Sequence, residues 1–179
     1  MHGAGHPAAV VAGRAISLSL FIPPRPVRKS SDNGIEPLHR HRVRIITGGG
    51  ARPIPQMYPD PRSQAWEEWV AGQAVEQLRR TPTQGEGEDF TLPLQQMRVL
   101  VNLRFNLPKP KSYPKRVVHH IKKPDIDNYA KGVLDGLVKG RVLEDDGLIT
   151  DLTVQKRYLE PGHPEGVEID LTALPTEAP

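Results

Sequence analysis

The chain has 179 residues, 37% of them hydrophobic and 25% charged, with a formal net charge of +3, 19 prolines, 16 glycines and no cysteine. That length suits one domain with a true core, while the missing cysteines exclude a disulfide framework and any thiolate metal site. No apolar run approaches the roughly 18 residues of a membrane-spanning helix, so no membrane association is expected, and the basic balance favours a polyanionic partner without requiring one.

Residues 1–13 carry no cationic stretch ahead of Ala8-Ala9-Val10-Val11-Ala12 and read as a disordered leader rather than a signal peptide. Residues 14–22 are predicted as a strand, with Ile16, Leu18, Leu20 and Ile22 on one face and Ser17 and Ser19 on the other. Residues 23–53 are rich in Pro and Gly. They hold Arg25, Arg28, Lys29, Arg40, Arg42, Arg44 and Arg52 against only Asp32 and Glu36. Two readings of this basic loop stay open, a solvated linker or an arm that orders along a DNA backbone. Within it Val43, Ile45 and Ile46 suggest a short strand.

Asp60-Pro61 is a helix start, Asp as N-cap and Pro at the first position. Trp66, Trp69, Val70, Gln73 and Leu78 continue it as a broken stripe to Arg80, and both tryptophans are expected in the core rather than against bases. Residues 81–90, with Glu86, Glu88 and Asp89, form an acidic loop. Residues 92–107 alternate most clearly, placing Met97, Val99, Val101, Leu103, Phe105 and Leu107 on the inward face of a central or near-central strand. From Arg104 to Lys123 there are cations and no acid: Arg104, Lys109, Lys111, Lys115, Arg116, Lys122 and Lys123, with Pro108, Pro110 and Pro114 keeping the segment extended.

The stretch from Lys122 to Asp146 carries the chemistry. Pro124 biases Lys123 towards extended backbone, and if the extension continues, Asp125 and Asp127 point the same way. Two carboxylates on one side repel unless a cation lies between them, and oxygen-only ligands suit Mg²⁺ or Mn²⁺. After them Tyr129, Val133, Leu134, Leu137 and Val138 form the apolar side of a helix with Asp127 as N-cap, and Lys131 lies one turn above Asp127 on the polar side. Gly140 stops the helix. Glu144-Asp145-Asp146 leads into a strand over residues 148–158 with Leu148, Thr150, Leu152, Val154 and Tyr158 inward, so that Asp146 can return towards Asp125 and Asp127. The bland alternative is a capping Asp-x-Asp-Asn with solvated charge. An EF-hand fails, because Ala130 and Gly136 stand where that loop needs Gly and Glu.

At these residues the chain resembles the RusA-like Holliday-junction resolvases. The resemblance rests on Asp125-Ile126-Asp127-Asn128, Lys131, Asp135 and Asp145-Asp146 at matching spacing and spans about residues 15–173. It implies a small α+β, two-layer sandwich of a mixed β-sheet with two main helices, one domain over 14–173 followed by a tail at 174–179. It further implies a homodimeric, Mg²⁺-dependent endonuclease that cuts two opposed strands of a four-way DNA junction, in recombination and repair.

On that footing Asp125, Asp127 and Asp146 are the expected metal ligands, with Asp145 and Glu144 in reserve, and Lys131 stabilises phosphorane-like charge or holds the attacking water. Arg25, Arg28, Lys29, Lys109, Lys111, Lys115, Arg116, Lys122 and Lys123 are the expected nucleic-acid contacts. No nucleotide cofactor is expected, and the location is cytoplasmic, with the nucleoid. Neither His39-x-His41 nor His119-His120 has zinc-motif spacing, although His119 or His120 could meet a phosphate or donate a proton. Gly132 and Gly136 leave a groove in the helix that either core packing or a dimer contact would fill. A non-catalytic DNA-binding protein of the same fold and a flap or fork nuclease remain as alternatives.

Overall fold

A computed structural model describes residues 15–26, 34–35, 42–46, 54–58, 60–80, 92–114 and 116–176, with only the backbone for 42–46 and 54–58. The leader, the acidic loop at 81–90, most of the basic loop, and Arg28, Lys29 and Lys115 lie outside the described residues.

The elements in chain order are β1 (Ile16–Ile22), β2 (Arg42–Ile46), β3 (Ile54–Tyr58), α1 (Pro61–Arg80), β4 (Met97–Leu107), α2 (Ile126–Lys139), a 3₁₀ turn (Asp146–Leu148), β5 (Ile149–Tyr158) and β6 (Gly166–Pro175). The main sheet has the order β1-β6-β4-β5, with β6 antiparallel to both neighbours and β4 parallel to β5 across α2. This is the α+β arrangement of a mixed sheet and two helices that the sequence led us to expect. Strands β2 and β3 pair separately and antiparallel. Strand β3 has no counterpart in the sequence reading, because Pro55 interrupts its short pattern; a two-stranded sheet, which is all edge, tolerates proline. Strand β6 runs through Pro175, so Leu174 and Pro175, expected in the tail, pair with Arg98 and Met97.

The core forms where the alternating strands meet the helical stripes. Val99, Val101, Leu103, Phe105 and Leu107 of β4 and Val167, Ile169, Leu171 and Ala173 of β6 are buried with Trp66, Val70 and Ala74 of α1 and Tyr129, Val133 and Leu137 of α2. Helix α1 starts as its sequence predicts: Asp60 is 3% exposed, and its Oδ1 accepts from the Arg62 backbone N–H at 2.9 Å. Near its other end the Gln77 amide donates to the Phe21 carbonyl and accepts from the Phe21 N–H, satisfying part of the β1 edge.

Helices α1 and α2 approach closely because α2 presents glycines. A Cβ on Gly136 would lie 2.6 Å from Val70 Cβ, and one on Gly140 would lie 3.0 Å from Ala71 Cα. At Gly136 the groove is therefore filled by α1 within the chain, and Gly140 shares that contact. Gly140 does close α2, but at φ −76°; the left-handed residue is Arg141, at φ 57°.

Strand β5 keeps its predicted phase at Leu152, Val154 and Tyr158 and departs from it only at its start. A register shift opposite Val99/Leu100 passes Thr150 over, so Ile149, Leu152, Val154, Lys156 and Tyr158 stand beside the inward residues Val99, Val101, Leu103, Phe105 and Leu107. Leu152 remains 45% exposed, since β5 is the edge strand.

The other face of the sheet is polar. Glu168 accepts from Arg104 at 2.9 Å and from Asn106 at 2.7 Å, and Asn106 in turn accepts from Arg157 at 3.1 Å. Burial pushes the Glu168 carboxyl pKa up, but the bonds from Asn106 and Arg104 outweigh it and hold the pKa below the ordinary value.

This packing can be tested at two positions. Gly136→Ala gains about 1 kcal/mol of helix propensity but overpacks against a Cβ fixed to the α1 backbone, which costs about 1–3 kcal/mol. A net loss is expected in urea denaturation, and a gain would show that the helices can separate freely. Because folding lowers the Glu168 pKa, its contribution is present above the unfolded value of about 4.3 and lost as pH falls through the folded value. Glu168→Gln should therefore flatten the acid limb of stability against pH; an unchanged limb would assign that limb to other carboxylates.

Candidate active site

The path from β4 to α2 crosses the C-terminal end of β5. The Tyr158 N–H donates to the Val118 carbonyl at 2.9 Å, the His120 N–H donates to the Lys156 carbonyl at 3.4 Å, and His119 bridges to Arg157. An aromatic stack holds the segment down: Tyr113 lies edge-on to Tyr158 at 5.6 Å and His120 packs on Tyr158 at 4.9 Å, with the Lys122 ammonium 5.0 Å from the Tyr113 ring centre. Burial foremost, then the charges of Lys156 and Lys122, lower the His120 pKa and favour the neutral imidazole. His120 is thus part of the packing beneath the loop.

The chain enters α2 at Asp125, whose backbone is extended (φ −69°, ψ 152°) and whose side chain makes no capping bond. Asp125, not Asp127, is the N-cap. Asp127 lies inside the first turn, where the positive end of the helix dipole favours a carboxylate. The strand-like argument for the two carboxylates sharing a side therefore does not apply, because the backbone turns helical between them. Tyr129 of the next turn packs on Phe105 at 5.2 Å between ring centres, fixing this end of α2 to β4.

Lys131 reaches away from Asp127. Its ammonium is 2.6 Å from Asp135 and 3.4 Å from Asp146, and the bond to Asp135 foremost raises its pKa. The 3₁₀ turn brings Asp146 to that flank of α2, so two acids hold the ammonium there. The turn also separates the adjacent acids by role. Asp145 Oδ1 accepts the Gly147 N–H at 2.7 Å and caps the turn, leaving Asp146 to meet Lys131.

Asp125, Asp127 and Asp146 are all exposed, and among the described residues no three acidic or histidine side chains gather into one metal-sized cluster. The donor set nonetheless fits a hard cation. Mg²⁺ is ordinarily held by one or two carboxylates, with waters and substrate phosphates completing its shell, and every acid at this end of α2 offers oxygen alone.

Of the expected DNA contacts, Lys111, Arg116, Lys122 and Lys123 are exposed on the segment before α2 and Lys109 is half-buried there. Arg25 is set back, half-buried, its N–H donating to the Gly34 carbonyl at 2.8 Å. One residue escaped the sequence reading. Lys156 of β5 donates from Nζ to the carbonyls of Lys122 and Pro124, both at 2.5 Å. Burial lowers its pKa and the charge of Asp125 opposes that shift. The available signal was a lysine in the inward phase of Leu152, Val154 and Tyr158.

No curated protein matches the chain significantly. The family described as Endodeoxyribonuclease RusA matches residues 34–172, which include both helices, the whole β4-α2-β5 unit and Asp125, Asp127, Asp135, Asp145 and Asp146. With that match over most of its length, the chain belongs to the RusA endodeoxyribonuclease family.

Proposed function

We propose that the chain is a divalent-metal-dependent endonuclease that resolves four-way DNA junctions as a homodimer, by paired hydrolysis of phosphodiesters in opposed strands. The observation that carries this reading is the Lys131 ammonium held against Asp146 at 3.4 Å, on the helix that begins at Asp125 and Asp127.

Asp125, Asp127 and Asp146 would hold Mg²⁺, with Mn²⁺ as an alternative. Such an ion lowers the pKa of a bound water and neutralises charge on the phosphate. The remaining chemistry belongs to the chain. Asp135 orients Lys131 and keeps it charged, so its ammonium can meet charge developing on the phosphoryl oxygens or hold the attacking water. The cations from Lys109 to Lys123 attract a polyanion towards a site that would otherwise repel it. Hydrolysis calls for no nucleotide cofactor. One site nicks one strand, so symmetric resolution takes two copies, acting in the cytoplasm at the nucleoid.

The test is cleavage of an immobile four-way junction, with duplex and flap controls, in Mg²⁺ and in EDTA. Wild type should make paired, symmetric, Mg²⁺-dependent cuts. Asp127→Asn and Asp146→Asn should lose them while still binding, whereas Asp145→Asn, whose amide oxygen can still cap the turn, should keep them. Binding without cutting would favour a non-catalytic protein, and cutting of flaps alone would change the substrate. Neutralising Lys109, Lys111 and Lys115 together should weaken binding and reduce its salt slope by about 0.9 for each phosphate no longer neutralised; an unchanged slope would move the DNA surface elsewhere.

A further inference from the structure

The main chain before Asp125 has few bonds of its own to hold it. Residues 121–123 are exposed, and the last described backbone bond of the segment to β5 is the His120 N–H to the Lys156 carbonyl. Beyond that bond the chain must still place Asp125 at the entrance to α2. The side chain of Lys156 spans this gap. It stands beside Phe105 in the inward phase of the edge strand and is half-buried. From there Nζ bonds the carbonyls of Lys122 and Pro124, two residues apart on the approach to Asp125.

We propose that Lys156 is a positioning residue, a clamp that joins the end of β5 to the Lys122–Pro124 main chain and so fixes where Asp125 is presented. The assignment rests on the resolvase reading for its consequence and on these bonds for its geometry. An ammonium has three donors and no acceptor. Two carbonyls take two of them. The lysine acts through the main chain and Asp125, so its removal should disturb cleavage far more than binding, to which Lys122 and Lys123 of the clamped segment are two of several expected cations. A misplacement on the order of 1 Å costs about 100-fold in rate.

The experiment compares wild type, Lys156→Met and Lys156→Arg. In Lys156→Met, junction cleavage should fall about 100-fold and demand more Mg²⁺, with junction affinity in EDTA falling no more than about threefold, since only Lys122 and Lys123 of the DNA-facing cations lie on the released segment. Lys156→Arg, whose planar fork can also bond two carbonyls, should restore most of the rate. A second readout needs neither metal nor DNA: trypsin cleavage after Lys122, measured against cleavage after Lys111, should rise about tenfold in Lys156→Met, as expected when a charge-assisted bond restraining the segment is removed. Wild-type cleavage rates in Lys156→Met, or affinity falling in step with cleavage, would overturn the inference. So would loss of a cooperative melt in Lys156→Met, which would show that the lysine supports the whole domain. A wild-type chain that leaves the junction intact sinks the resolvase reading instead, while cleavage after Lys122 in the metal-free protein still decides the clamp.

Discussion

Everything at the acidic end of this protein depends on how α2 is held between the sheet and α1. One side of the helix meets β4 through Tyr129 on Phe105, and its glycines let α1 approach to van der Waals distance at Val70 and Ala71. A helix held on two sides can neither roll nor slide without overlapping fixed atoms. Its polar side, with Asp127, Lys131 and Asp135, is therefore presented in one orientation, although those residues are solvent-facing and have little packing of their own.

Around that fixed helix, the exposed acids are governed by two lysines in different ways. Lys131 lies on the polar side of α2 and is shared by Asp135 and Asp146, drawing the turn after the helix back to its flank. Lys156 comes from the neighbouring strand and bonds main-chain carbonyls ahead of Asp125. Exposed ion pairs contribute little to stability, so their value here is geometric. They hold together chain segments that arrive from opposite ends of α2.

The segment between β4 and α2 shows the same division between a packed base and a charged surface. Tyr113, His120 and Tyr158 stack beneath the segment between β4 and α2, while Lys111, Arg116, Lys122 and Lys123 stand exposed on it. Aromatic packing and main-chain bonds hold that segment against β5.

Much of this was legible in the letters because it rests on local chemistry. The alternation of β1 and β4, the Asp60-Pro61 start of α1, the apolar stripe of α2 and the spacing of Asp125, Asp127, Lys131 and Asp146 are properties of short windows, where period and capping decide. Tertiary structure decided what depends on register and on neighbours distant in sequence. A register shift set the phase at the start of β5, helix contact made Gly136 and Gly140 glycines that admit α1, and backbone capping separated Asp145 from Asp146. Lys156 shows the reason most plainly: a lysine in an apolar phase looks like an interruption until the carbonyls of Lys122 and Pro124, more than thirty residues earlier, are seen to meet it.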